Sequence, residues 1–344
     1  MSASHDPSCI DLGAARQRIR GRVHQTPLLH SSALDHRAGL RLWLKAESFQ
    51  RSGSFKARGA FNALAAGLEA GDRRGVIAVS SGNHGQAVAM AASELGLGAT
   101  VVMPQDASEV KVAAVRAYGA RVVDQGVTAE NREEVASQLA ADHDLRLVHP
   151  HDDPLVIAGQ ATVGTELLDQ CQSVGARPRV VLVPVGGGGL LAGICLALED
   201  RLAGATVIGV EPALGNDGQQ SLAEGRLVSL ARAPDTAADG ARTLHLGGLC
   251  WEVIRSRVSR IVTVTDDEIA QACWWLWSRC KLVVEPTGAM TVAAALRGRG
   301  ELWPAVPASS AEGDPAEVVC ILSGGNCTPR QIADLLASSA TGLS

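Results

Sequence analysis

Short runs of β-branched residues alternate with stretches of helical length along this chain, and that alternation restricts its architecture more than any other feature. Val76-Ile77-Ala78-Val79 is followed by a helical stretch at 84–95, Thr100-Val101-Val102-Met103 by one at 109–118, and Arg121-Val122-Val123 by one at 130–141. The pattern resumes with Leu145-Arg146-Leu147-Val148, a strand at 180–183, a helix at 190–198 and a strand at 206–210. Strands that are apolar throughout, each followed by about three helical turns, require a parallel sheet covered on both faces. The expected fold class is α/β, an open parallel-sheet protein. Such sheets bind ligands beyond the carboxyl ends of their strands, so the strand-to-helix turns are where chemistry should be sought. A length of 344 residues accommodates about one or two domains. Residues 304–315, PAVPASSAEGDP, read as a surface loop before a last strand at 318–322. No added regulatory domain is expected after it.

Composition removes several function classes. Hydrophobic residues make up 46% and charged residues 19%, which suits a large core and excludes a disordered polymer. The formal charge is −5 and no Lys/Arg run occurs, so neither nucleic acid nor an anionic membrane is expected as the partner. The start, MSASHDPSCIDLG, lacks a basic segment followed by an apolar block, and no run of about 18 apolar residues exists. A soluble cytoplasmic protein is expected. Eight cysteines without a C-x-x-C pair read as reduced, mostly buried thiols rather than a zinc site or disulfide framework. Trp274, Trp275 and Trp277 follow the acidic start Asp266-Asp267-Glu268 and suit core or subunit-interface packing.

Glycine-rich turns carry the chemistry. In the first, Arg51-Ser52-Gly53-Ser54-Phe55-Lys56-Ala57-Arg58-Gly59-Ala60 joins an amphipathic strand at 42–47 to a helix through Phe61 and Leu64. A lysine in the first turn of a helix feels the positive end of the macrodipole, which favours the free amine that imine chemistry needs. An ordinary surface lysine is the alternative. In the second, Ser80-Ser81-Gly82-Asn83-His84-Gly85 offers N–H groups and small polar side chains to a carboxylate or phosphate. His84 reads either as a base or ligand or as a structural hydrogen-bonder. In the third, Gly186-Gly187-Gly188-Gly189 exposes successive N–H groups, which suits a phosphate at a helix start. Gly187-x-Gly189-x-x-Ala192 with Glu211 beyond also satisfies a dinucleotide fingerprint, which leaves an NAD-binding dehydrogenase open. The fourth, Ser323-Gly324-Gly325-Asn326, follows the last strand.

Taken together with Glu285-Pro286-Thr287-Gly288, these turns stand in the order and spacing of a known family. The chain resembles the fold-type II pyridoxal-phosphate enzymes of the serine/threonine dehydratase and serine racemase family over about residues 10 to 330. The resemblance implies the tryptophan synthase beta-like fold, with a large cofactor domain at 1–74 and 153–330, a smaller inserted domain at 75–152, and a tail at 331–344. It implies that Lys56, next to Phe55, carries pyridoxal 5'-phosphate as an imine and that Gly186, Gly187, Gly188 and Gly189 cradle the phosphate. Asn83 is then expected at the ring hydroxyl and Ser323 at the pyridine nitrogen. Ser80, Ser81, Gly82, Asn83 and His84 are expected to hold the substrate carboxylate, with Lys56 as the base at the α-carbon. Ser81 matches a position on the ring face opposite the lysine, where serine racemases and 3-hydroxyaspartate dehydratases have serine and some simple dehydratases alanine.

The resemblance also implies a cation site. Glu211, the Gly215 carbonyl and Asp217 match the ligands of the metal-dependent members, and hard oxygen donors suit Mg²⁺, Mn²⁺ or Ca²⁺. An N-cap with a solvated acidic turn is the alternative. His151, where relatives commonly carry Phe, Tyr or Asn, together with Leu244 and His245, departs from the family pattern near the cofactor edge. His151 is expected to accommodate a polar or acidic substrate side chain. The leading expectation is dehydration of L-serine or L-threonine to a 2-oxo acid and ammonia by a homodimer. A serine or aspartate-type racemase, a 3-hydroxyaspartate dehydratase and a catalytically silent relative are the alternatives.

Overall fold

The computed structural model describes residues 6–199, 201–202, 204–298 and 316–338; the loop expected at 304–315 lies outside them. In chain order the strands are β1 (Leu28–His30), β2 (Arg41–Ala46), β3 (Val76–Val79), β4 (Ala99–Val102), β5 (Arg121–Val123), β6 (Arg146–Leu147), β7 (Val180–Pro184), β8 (Thr206–Pro212), β9 (Ile261–Val264) and β10 (Glu317–Leu322). They form two sheets, one of order β1-β2-β10-β7-β8-β9 and one of order β5-β4-β3-β6. Every pairing is parallel except β1 with β2, where Leu29 faces Leu44. The α/β class is therefore the observed one, with an antiparallel edge strand added.

The larger sheet is buried on both faces by alternation along its strands. On β10, Val318, Cys320 and Leu322 enter the core under the helices Asp266–Ser278 and Pro286–Leu296. Val319 and Ile321 enter the opposite core, under Pro154–Val174, Gly189–Leu198 and Gly248–Arg257. Each such side chain contributes about 1.5–3 kcal/mol. β2 is not amphipathic in the expected sense, because it is buried from Leu42 onward. Lys45 lies on the face of Trp43 and is enclosed there, donating from Nζ to Glu166 (2.9 Å), Gln170 (3.0 Å) and the Thr26 carbonyl (2.8 Å). A polar residue in an alternating pattern marks a solvent face only where no helix covers that face.

Topology places the functional turns. In the larger sheet the chain runs β7, β8, β9 in one direction and returns with β10 on the other side of β7. The turns after β7 and β10, residues 185–189 and 323–326, flank that reversal. In the smaller sheet β4 and β5 lie to one side of β3 and β6 to the other, so the turns at 80–83 and 148–153 flank a second reversal. Crevices at the carboxyl ends of strands beside such reversals are the ligand sites of open parallel sheets.

Glycine contacts bring the remaining turn into place. The helices Lys56–Glu69 and Pro154–Val174 cross so closely that a Cβ on Gly159 would lie 2.5 Å from the Gly59 Cα. Ser54 bridges to Gly324, and the Phe55 N–H donates to the Ser323 carbonyl at 3.1 Å. The start of the lysine helix is thereby fixed against the end of β10.

Candidate active site

Lys56 is the first residue of its helix, as the turn sequence predicts. Its Nζ donates to the Pro150 carbonyl at 2.7 Å and lies 5.0 Å from the centroid of the Phe55 ring. Burial lowers its pKa from 10.5 to about 8. Desolvation is the leading cause, so the free amine arises from enclosure without a counter-charge.

The 80–83 turn follows β3. The Ser80 hydroxyl accepts the Gly82 N–H at 3.1 Å, and Ser80, Ser81, Gly82 and Asn83 are half-buried at the start of the helix Asn83–Leu95. His84 is buried, and its ring shares a 2.9 Å bond with the Val148 carbonyl. Burial holds its pKa at about 3, so the ring is neutral and committed to a backbone bond. Asn83 donates from Nδ2 to Glu285 at 2.7 Å, while its Oδ1 accepts from Asn326 at the same distance.

Gly186 to Gly189 lead from β7 into the helix Gly189–Leu198, with Gly188 at φ +92°. This cradle tolerates no side chains. A Cβ on Gly187 would overlap the His151 ring, and one on Gly186 would lie 2.8 Å from the Gly240 carbonyl. His151 thus sits against the tetrad, and its ring meets His149 edge-on at 4.7 Å. Burial pushes the pKa values of both histidines down, that of His151 well below 6.5. His149 Nδ1 accepts the N–H groups of His151 (3.3 Å) and Asp152 (2.8 Å), so its proton resides on Nε2. Ser323 is 2% exposed at the end of β10.

Helix-start N–H groups without obstructing side chains, beside a lysine of lowered pKa, fit an aldehyde cofactor carrying a phosphate. Comparison with known proteins bears on that fit. The pyridoxal-phosphate dependent enzyme family matches residues 19–324. The chain belongs to that family. It is 42% identical over 336 residues to an L-threo-3-hydroxyaspartate ammonia-lyase of Saccharomyces cerevisiae, covering 98% of each chain. It is 38% identical to a serine racemase of Schizosaccharomyces pombe, covering 96% of this chain and 98% of that one. Among solved structures, a threonine deaminase of T.th. superposes with a TM-score of 0.84 at 48% identity, covering 92% of this chain and 97% of that one. The pyridoxal-phosphate class therefore replaces the dinucleotide reading of the glycine tetrad.

The proposed cation ligands of this family member lie at the end of β8. Glu211 is buried, with Oε1 accepting the Gly218 N–H and Oε2 the Gln219 N–H, each at 2.9 Å. Burial and the nearby Asp217 push its pKa up to about 8, and burial pushes that of Asp217 up to about 6. Asp217 Oδ2 is buried without a hydrogen-bond partner. Two enclosed carboxylates, one with an orphaned oxygen, fit a hard divalent cation.

Sequence reasoning missed three contributors. The Pro150 carbonyl, which holds Lys56, carries no side-chain signal. Asp152 accepts from the N–H groups of Gly248, Leu249 and Cys250 and so caps the helix Gly248–Arg257 beside the tetrad. Glu285 stands in a quoted motif whose proline marks a helix start, but its partner Asn83 is 202 residues away. No disulfide forms among the described residues: five cysteines are buried, Cys280 and Cys327 half-buried and Cys9 exposed, all free. No described helix is long and apolar enough to cross a membrane.

Proposed function

We propose that this enzyme is a pyridoxal-phosphate-dependent ammonia-lyase acting on L-threo-3-hydroxyaspartate, releasing a 2-oxo acid and ammonia. The observation that carries the choice is the neutral histidine pair beside Lys56, with His151 against Gly187 and His149 edge-on to it. A substrate carboxylate arriving there finds the His149 Nε2–H and the ring N–H of the neutral His151 as donors and raises both histidine pKa values. The S. cerevisiae relative supports the same assignment. Serine and threonine lack the second carboxylate that would use these rings.

When bound, pyridoxal phosphate supplies an electrophilic carbonyl and a sink for negative charge at the substrate α-carbon. Gly186 to Gly189 would hold its phosphate, Asn83 its ring hydroxyl and Ser323 its ring nitrogen, a neutral partner that does not force protonation. The 80–84 loop would orient the substrate α-carboxylate through its N–H groups. Lys56 Nζ would anchor the cofactor and then take the α-proton. With a pKa of about 8, about a tenth of such amines are free at pH 7, against about one in 3,000 for an ordinary lysine. Glu211, Asp217 and the Gly215 carbonyl would hold Mg²⁺ or a similar ion.

A panel of L-threo-3-hydroxyaspartate, L-serine and L-threonine tests the assignment. The hydroxyaspartate kcat/KM should exceed that for serine, and His151→Phe should lower that ratio about tenfold, the worth of one hydrogen bond to a charged group. An unchanged ranking in His151→Phe would remove the histidine argument. Racemisation is a second activity favoured by Ser81, half-buried on the same loop. Ser81→Ala should abolish D-enantiomer formation while retaining oxo-acid release.

A further inference from the structure

We propose that Glu285 is a positioning residue that fixes the amide of Asn83 so that one Nδ2 proton is aimed at the cofactor ring hydroxyl, a role that rests on the cofactor placement proposed above. The amide orientation is determined from both sides. Asn326 Nδ2 spends its protons on the Ser52 carbonyl and on Asn83 Oδ1, both at 2.7 Å. Asn83 Oδ1 is therefore an acceptor, and its Nδ2 must point the other way, where Glu285 Oε1 accepts one of its two protons. The second proton remains for a ligand.

The Glu285 side chain itself has little freedom. Glu285 is 3% exposed and occupies the N-cap position of the helix Pro286–Leu296. Its Oε2 accepts the Asn326 N–H at 3.2 Å, and its own N–H donates to the Gly324 carbonyl at 3.1 Å. A Cβ on Gly324 would overlap Oε1, so only glycine leaves room for this arrangement. One buried acid thus joins the first residue of the Asn83–Leu95 helix to the turn after β10 that carries Ser323. Those two segments flank the separate sheet reversals and have no covalent connection nearby. Burial, with Asp239 adding to it, pushes the Glu285 pKa up to about 8, and an acid enclosed for stability alone would be an unfavourable choice over an apolar side chain.

The test uses cofactor binding by the apoenzyme, followed through the visible absorbance of the bound cofactor. Pyridoxal phosphate is compared with 3-deoxypyridoxal phosphate, which lacks the ring hydroxyl. Glu285→Ala should weaken pyridoxal phosphate binding about tenfold, as expected for loss of one hydrogen bond's orientation. It should change binding of the deoxy analogue less than about twofold. Glu285→Gln, whose carbonyl can still accept from Asn83, should recover most of the affinity, and in an Asn83→Ala background Glu285→Ala should have no further effect. If Glu285→Ala does not fold, Asn83→Ala compared on the two cofactors, with Glu285→Gln retaining the affinity for pyridoxal phosphate, decides the matter. Equal weakening for both cofactors, or additive effects of Asn83→Ala and Glu285→Ala, would overturn the proposal. Failure of the wild-type apoenzyme to bind pyridoxal phosphate at all would instead overturn the underlying placement.

Discussion

Lys56 and Arg58 stand two residues apart on one helix and meet opposite surroundings. Arg58 is fully buried, yet Glu47 and Glu166 bracket its guanidinium with contacts of 2.7–2.8 Å, and Thr162 adds a further bond. Those carboxylates outweigh the burial and raise its pKa further. Lys56 is offered a carbonyl and an aromatic face, and burial lowers its pKa. Burial with counter-charges produces a structural ion cluster, whereas burial without them produces a nucleophile. Lys45 lies between these cases: burial lowers its pKa although Glu47 and Glu166 oppose the shift.

The largest separation of the two roles should come from Lys56→Ala. Turnover should fall at least about 10³-fold, as for loss of a catalytic base, while the melting temperature of the apoenzyme stays within a few degrees of wild type. Arg58→Met should invert that pattern. It strands the fully buried Glu47 without its cation and leaves Glu166 to Lys45 alone, at a cost of about 3–5 kcal/mol, and calorimetry should register a fall of order 10 °C in Tm. If Arg58→Met left Tm unchanged, the distinction between the neighbours would lose its energetic basis.

A smaller effect should come from the proposed cation site, whose two carboxylates are enclosed. Their folded-state pKa values, about 8 for Glu211 and about 6 for Asp217, exceed the ordinary carboxylate range. The folded protein therefore retains protons that the unfolded chain releases, and stability from these groups falls as pH rises from about 4 to 8. Mg²⁺ should offset that loss, raising Tm by a few degrees at pH 8 and less at pH 6. Asp217→Asn should remove most of the response, measurable by thermal melts with and without EDTA.

The legible and illegible parts of the chain divide along similar lines. β3, β4, β5, β6, β7, β8 and β10 are readable because each lies in a β-branched or apolar run beside a glycine or polar turn. β1 and β9 are not, since Leu28–His30 is only half-buried or exposed and Ile261–Val264 is four residues long with a threonine inside. Sequence placed the glycine turns at strand ends because backbone anion sites need glycine locally. It could not place the Pro150 carbonyl, the Asp152 cap or the partnership of Asn83 with Glu285. These depend on segments 94 to 202 residues apart, and their residue types are equally common in ordinary loops. The amphipathic reading of β2 failed because the helix over Lys45 brings its own acceptors from residues 166 and 170.

The most direct measurement is borohydride reduction of the apoenzyme mixed with pyridoxal phosphate, run across pH 6–10 with peptide mapping of the reduced product. The chain has four lysines, Lys45, Lys56, Lys111 and Lys281, so the site of labelling is unambiguous. Label should fall on Lys56 alone, with the initial rate of capture rising to a half-point near pH 8, the value set by burial, and levelling above it. Label on another lysine, or a capture rate still rising steeply at pH 10 as for an ordinary lysine of pKa 10.5, would contradict this assignment.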